Sequence, residues 1–268
     1  MCTATLIPLP RGGLRLLHNR DEQRARPIAP DLCSGPDFAY PIDPVGGGTW
    51  AAVKANGLGM ALLNRNPLAA DKLPRPSQPQ TRGRVILDLL DCTDLHAVAE
   101  RAQVMSATRF LPFELIAFDD QAVLTFAWMG SGYAESNDAE RLLVKRQAIS
   151  QHDPPTLWSS SGLGDNVVEA DRRGVFARAF GSDPERWPDQ QAALHRSVDP
   201  SRSFAGFCMS RDDARTVSQT ELTVTPQAVE LDYRLWSDGA ATPCAAQTVR
   251  LDRKPVASAA DRPSTGPR

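Results

Sequence analysis

Two apolar-rich runs at the start of the chain, residues 2–9 and 14–20, are separated by Pro10-Arg11-Gly12-Gly13, turn chemistry that folds consecutive strands back on one another. That hairpin fixes a register. Residues paired across it should sum to about 22–25, which sets Cys2 opposite the segment 20–23. The run His18-Asn19-Arg20-Asp21-Glu22 is thereby delivered to the second residue of the chain.

Cys2 is chemically complete if Met1 is removed, as is expected when the next side chain is as small as Cys. One residue then carries both a thiol, ordinarily near pKa 8.5, and an α-amine, ordinarily at about 7.7–8.0, so the amine can take the thiol proton without a separate histidine. A guanidinium near the sulfur favours the thiolate, and a carboxylate near the amine holds it by a charge-assisted hydrogen bond. Arg20 and Asp21 are the groups in register to do this. The blander alternative is that Cys2 packs as a small apolar residue and the charged run is a solvated strand end.

The rest of the chain reads as hairpins with helices between them. Residues 25–43 carry Pro27, Pro30, Pro36 and Pro41 without a clear period and read as a surface connection. Gly46-Gly47-Gly48 precedes a strand entered at Thr49-Trp50, and Asn56-Gly57 turns it into residues 58–64. With no GxxxxGK[ST] sequence, the glycines signal close backbone approach rather than a phosphate site. Residues 84–90 show helical spacing with Thr81 as a candidate N-cap, and Thr93 or Asp94 caps a second helix running to about residue 105. Residues 113–118 and 123–128 form a strand pair, 156–163 a strand ending in Ser159-Ser160-Ser161-Gly162, and 166–180 an amphipathic helix. Residues 204–210, 216–224 and 228–236 read as a meander. The composition then shifts to Ala, Pro, Ser, Thr and Arg, so one domain is expected over 2–236, with 237–268 a disordered tail. Strands arriving as hairpins with helices between groups of them give an α+β class of antiparallel sheets covered by helices.

Charge and cysteine usage exclude several functions. With 30 Lys plus Arg against 32 Asp plus Glu, there is no basic field for nucleic acid or anionic lipid. No run approaches the roughly 18 apolar residues of a membrane helix, and the N-terminal segment lacks a basic leader, so the chain reads as cytoplasmic. The five cysteines show no CxxC spacing, and His96, His152 and His195 are scattered, so neither a disulfide framework nor a metal site is signalled. No cofactor is expected.

Several further residues are candidates. Asn64, at a strand end, can donate its amide to an oxyanion or begin the turn before Asn66-Pro67. Trp50 can wall a pocket or belong to the core. Ser160 can polarise a substrate or form turn chemistry. His18 and Asn19 flank the proposed site and are candidate substrate contacts.

The start Met1-Cys2, the runs Asn19-Arg20-Asp21-Glu22, Gly47-Gly48-Thr49-Trp50, Leu63-Asn64 and Thr81-Arg82-Gly83, and the later Ser159-Ser160-Ser161-Gly162-Leu163-Gly164-Asp165 together resemble the NRDE family, also called the transport and Golgi organisation protein 2 family. The resemblance spans roughly residues 2–233. It implies an N-terminal-nucleophile hydrolase-like fold, a four-layer αββα sandwich of two antiparallel sheets. Cys2, Arg20 and Asp21 resemble the nucleophile, Arg and Asp of N-terminal-cysteine amidases, which separate the last two by two residues where this chain has them adjacent. Two functions follow. One is an amide hydrolase or acyltransferase working on a small amide or acyl substrate through a thioester at Cys2, with Arg20, Asp21 and Asn64 in support. The other, implied by the family's association with haem and lipid handling, is a non-catalytic trafficking protein that binds a haem-like or acyl-lipid ligand; lacking CxxCH, it would hold haem without a covalent link.

Overall fold

The structure, a computed structural model, describes residues 2–28, 30–73, 75–130, 143–238 and 242–254. The N-terminal hairpin is β1 (Cys2–Pro8) and β2 (Leu14–Gln23), closed by Gly12 and Gly13 at φ +88° and +97°, a region open to glycine at no steric cost. Its register puts Cys2 opposite Arg20 and Ala4 opposite His18, at the lower edge of the range expected from the turn.

Short strands β3 (Leu32–Ser34) and β4 (Phe38–Pro41) follow in the segment read as a connection; their four prolines masked the pairing. β5 (Ala51–Lys54) and β6 (Leu58–Asn64) form the second hairpin about Gly57. Helix α1 (Arg84–Leu89) starts at Gly83 with no side-chain cap, so Thr81 does not cap it. Helix α2 (Leu95–Gln103) is capped by Asp94, whose carboxylate accepts from the Ala97 amide. Next come β7 (Phe113–Phe118), β8 (Ala122–Trp128) and β9 (Leu143–Ala148). After them stand β10 (Thr156–Ser160), α3 (Asn166–Ala179) and α4 (Trp187–His195). The chain ends in β11 (Ala214–Val224), β12 (Ala228–Leu235) and β13 (Gln247–Asp252).

Two readings need correction. Residues 204–210 form no strand. They run irregularly because their carbonyls face inward, those of Ala205 and Gly206 accepting from Arg172 and that of Phe207 from Asn19. The segment read as a tail contains β13, which pairs antiparallel with β12 from Asp252 opposite Ala228 to Gln247 opposite Tyr233. Its side chains are mostly exposed, so backbone pairing at an edge holds it, a device with little compositional signature. Residues 239–241 and 255–268 lie outside the described residues.

Among the described residues the strands form a six-stranded sheet ordered β10-β1-β2-β11-β12-β13 and a seven-stranded sheet ordered β3 to β9 as in the chain; every pairing between these strands is antiparallel. They pack face to face through Ala4, Leu6, Leu16, Val53, Leu63, Ile116, Leu222 and Leu231, while α1 and α2 close the outer face of the larger sheet over Leu62, Leu115 and Phe126. On the outer face of the smaller sheet, α3 contacts β10 and α4 contacts β1 and β2. The layers are therefore helix, sheet, sheet, helix, the αββα sandwich that the family resemblance implied.

Candidate active site

Alternation along β1 and β2 sorts the charged run before any chemistry begins, because successive side chains leave opposite faces of a strand. Cys2, His18 and Arg20 belong to the face turned toward the other sheet, whereas Asn19 and Asp21 belong to the face under α3 and α4. At the open end of the sandwich the two sheets part into a cleft of about 130 Å³ lined by Cys2, Arg20, Asp21, Glu22, Asn64 and Arg82, among others.

Cys2 sits at the inner wall with 7% of its surface exposed. Its backbone nitrogen donates to Ser160 Oγ at 3.0 Å, a bond set up by the pairing of Cys2 with Ser160 on β10. Burial pushes the thiol above its ordinary value, opposed by the positive chain terminus and by Arg20 and assisted by the charges of Asp21 and Glu22. Arg20 therefore acts on the thiol in the direction expected of a nearby guanidinium, favouring the thiolate, but burial is the larger influence. Arg20 is committed elsewhere. It pairs with Glu22 at 3.0 Å, approaches Asp43 at 3.9 Å and lies 4.4 Å over the Trp50 ring. Trp50 in turn donates from Nε1 to Thr220 Oγ1 at 3.2 Å, so it is at once core and cleft wall.

Asp21 accepts from Thr216 Oγ1 at 2.6 Å and lies 3.8 Å from Arg172 of α3. Burial pushes the Asp21 carboxyl up and the Arg172 guanidinium down, and each charge pulls the other back. Arg172 also donates to the carbonyls of Ser160, Ala205 and Gly206. Sequence reasoning missed Arg172, since an arginine in an amphipathic helix ordinarily reads as solvated; here it is 1% exposed.

Two of the predicted contacts do not reach the cleft. Asn19 spends its amide on the carbonyls of His195 and Phe207, at 2.7 and 2.9 Å, and accepts from Gln219, so it ties the smaller sheet to its helix layer. His18 faces inward but lies one strand pair deeper, fully buried opposite Ala4. Asn64 does line the cleft, and among the described residues its side chain has no hydrogen-bond partner.

The cleft is held together by Asp165, which the sequence reading quoted without a role. Its carboxylate accepts from the backbone nitrogens of Ser161 and Asn66, both at 2.9 Å, so one side chain joins the end of β10 to the end of β6. Asp165→Ala should lower the unfolding free energy by about 3 kcal/mol, because a hydrogen bond to a charged group contributes about 1.5–3 kcal/mol. A denaturant titration checks this, and an unchanged midpoint would contradict the clamp.

The fold has solved counterparts. The Caenorhabditis elegans N-acylethanolamine-hydrolyzing acid amidase ortholog superposes with a TM-score of 0.51 at 12% identity, covering 82% of this chain and 92% of its own. A mutant conjugated bile acid hydrolase from Clostridium perfringens reaches a TM-score of 0.49 at 12% identity, covering 94% of this chain and 92% of its own. At this identity the likeness is one of fold, the N-terminal-nucleophile hydrolase sandwich. No curated protein matches the chain in sequence. Among the described residues no helix is long and apolar enough to cross a membrane. A family profile described as Transport and Golgi organisation 2 matches residues 1–164, a span that carries all the cleft-lining residues together with Ser160 and stops one residue short of Asp165; the chain belongs to that family.

Proposed function

We propose that the protein is an N-terminal-cysteine hydrolase or acyltransferase that acts on small amides through a thioester at Cys2. The observation that carries this reading is the position of Cys2, with its thiol at the wall of the cleft and its nitrogen held by Ser160 Oγ at 3.0 Å. Met1 lies outside the described residues, and the proposal requires processing that leaves Cys2 first in the chain.

Once its nitrogen is an amine, Cys2 carries its own base. A thiol kept protonated by burial gives up its proton only as attack proceeds, and an amine of pKa about 8 is suited to receive it near neutral pH. The sulfur adds to the carbonyl carbon, the carbonyl pair moves to oxygen, and the Asn64 amide donates to the developing oxyanion. Collapse breaks the C–N bond, and the α-ammonium returns its proton to the departing amine. Water or an acceptor amine, deprotonated by the same nitrogen, then releases the acyl group from sulfur. Ser160 and Asp21 orient the amine; Arg20, stacked on Trp50, supplies positive potential at the cleft wall. The worm amidase acts on amides, a reaction class consistent with this one. A haem-like or acyl-lipid ligand fits less well, because a cleft lined by Arg20, Glu22, Arg26, Asp43 and Arg82 lacks the continuous apolar wall such ligands need.

The test uses an activated acyl donor. Protein whose chain begins at Cys2, incubated with p-nitrophenyl butanoate and quenched in acid, should gain the mass of one butanoyl group on its N-terminal peptide. Absence of the adduct, or its appearance on another residue, would overturn the proposal.

A further inference from the structure

Arg20, Arg26 and Arg82 all line the cleft, and the first two are paired with carboxylates. Arg20 pairs with Glu22, and Arg26 pairs with Asp43 at 2.6 Å and with Glu22 at 3.4 Å. Arg82 differs. Among the described residues no carboxylate lies within 4.0 Å of it, and its one hydrogen bond runs from Nη1 to the Pro112 carbonyl at 3.0 Å. A planar group with five N–H donors is thus left with most of its fork unused at the wall of the cleft that holds Cys2.

This placement is built rather than incidental. A Cβ added at Gly48 would stand 2.5 Å from the carbonyl carbon of Gly83, and one added at Gly83 would stand 2.8 Å from the Thr49 nitrogen. Thr49 also donates its backbone N–H to the Gly83 carbonyl at 3.1 Å. Glycine on both sides therefore lets two backbones touch, which pins the residue before Gly83 against the strand entering the cleft. Burial lowers Arg82 to about 10, opposed most by the charge of Cys2 and then by that of Glu22. Glu22 is itself paired with Arg20 and Arg26, so no carboxylate of the cleft is in direct contact with Arg82. Arg82 is half-buried and lines the cleft, so its remaining donors are open to an anionic group bound there.

We propose that Arg82 receives an anionic group of the substrate, so that the substrates are acyl amides bearing a carboxylate close to the scissile bond, such as acyl derivatives of small amino acids. This rests on the amide reading above, with the acyl carbonyl at Cys2 and the carboxylate of the amine portion on the guanidinium fork, where bidentate pairing fixes orientation.

Binding to Cys2→Ala protein tests the proposal apart from catalysis. N-butanoylglycine and its methyl ester, compared by calorimetry at pH 7, should differ by at least about tenfold in affinity in favour of the acid, the scale of one hydrogen-bonded charge pair. Arg82→Gln in the same background should erase the difference, and Arg82→Lys should keep part of it. Equal affinities for acid and ester, a preference that survives Arg82→Gln, or no binding of either compound at millimolar concentration would each overturn it. The comparison of acid with ester uses unaltered Arg82, so it stands even if Arg82→Gln fails to fold. A wild-type protein that binds the acid selectively yet hydrolyses no amide would instead overturn the catalytic reading and leave the anion site in place.

Discussion

Cys2→Ala should reduce kcat/KM for amide hydrolysis by at least about 10³-fold, because removal of a nucleophile leaves only binding and oxyanion contacts to lower the barrier. Cys2→Ser should fall nearly as far. A hydroxyl is a weaker nucleophile than a thiol, and the site is arranged so that an amine of modest basicity must accept the proton. A chain that retains Met1 should be as inactive as Cys2→Ala, since an amide nitrogen has no basic pair to offer, although its thiol is intact. Comparing these three proteins by intact mass, thermal melting and turnover separates loss of chemistry from loss of fold. Undiminished turnover in the alanine protein would remove Cys2 from the mechanism.

Acidification should unfold the protein through a histidine outside the cleft. His18 lies fully buried between the sheets, and neither ring nitrogen makes a hydrogen bond of ordinary geometry. Burial first, then the chain terminus and Arg20, lower its pKa to about 3, with only partial relief from the Leu62 backbone. Because the folded value lies below the unfolded value of about 6.5, the unfolded chain alone binds a proton between these limits. Stability from this group is complete above about pH 6.5 and drains as the pH falls toward 3. By pH 4 the loss is about 3 kcal/mol, and near pH 3 it is about 4 kcal/mol. His195, also buried and lowered, acts with the same sign. Asp21, raised in the folded state, acts in the opposite sense and gains stability as the pH falls, so the contribution is isolated by difference. His18→Leu should lose about 3 kcal/mol less than wild type between pH 7 and pH 4 in guanidinium titrations. Equal losses in the two proteins would refute the assignment.

The hairpin register was legible because one turn and two apolar runs determine it, and it correctly set Cys2 opposite Arg20. The same run misled for Asn19 and His18. Nearness in sequence put both beside the nucleophile, but the pleat sends Asn19 to the helix layer and His18 one step inward. Asp165, Arg172 and Arg82 stood in plain view without assigned roles, since each acts through partners far along the chain: Asn66, Asp21 and the cleft wall. Helix α4 escaped notice because its inward face carries Gln191 and His195 bonded to Thr5, a polar seam that weakens any apolar period.

The position of β1 inside its sheet imposes a timetable on synthesis. β1 is flanked by β2 on one side and by β10 on the other, and β10 emerges from the ribosome more than a hundred residues later. Until then the leading strand has one unpaired edge. Once residue 160 arrives, β10 zips alongside β1 and Ser160 captures the nitrogen of Cys2. The wall that holds Cys2 is thus completed only when a strand from the middle of the chain has been added beside the first one.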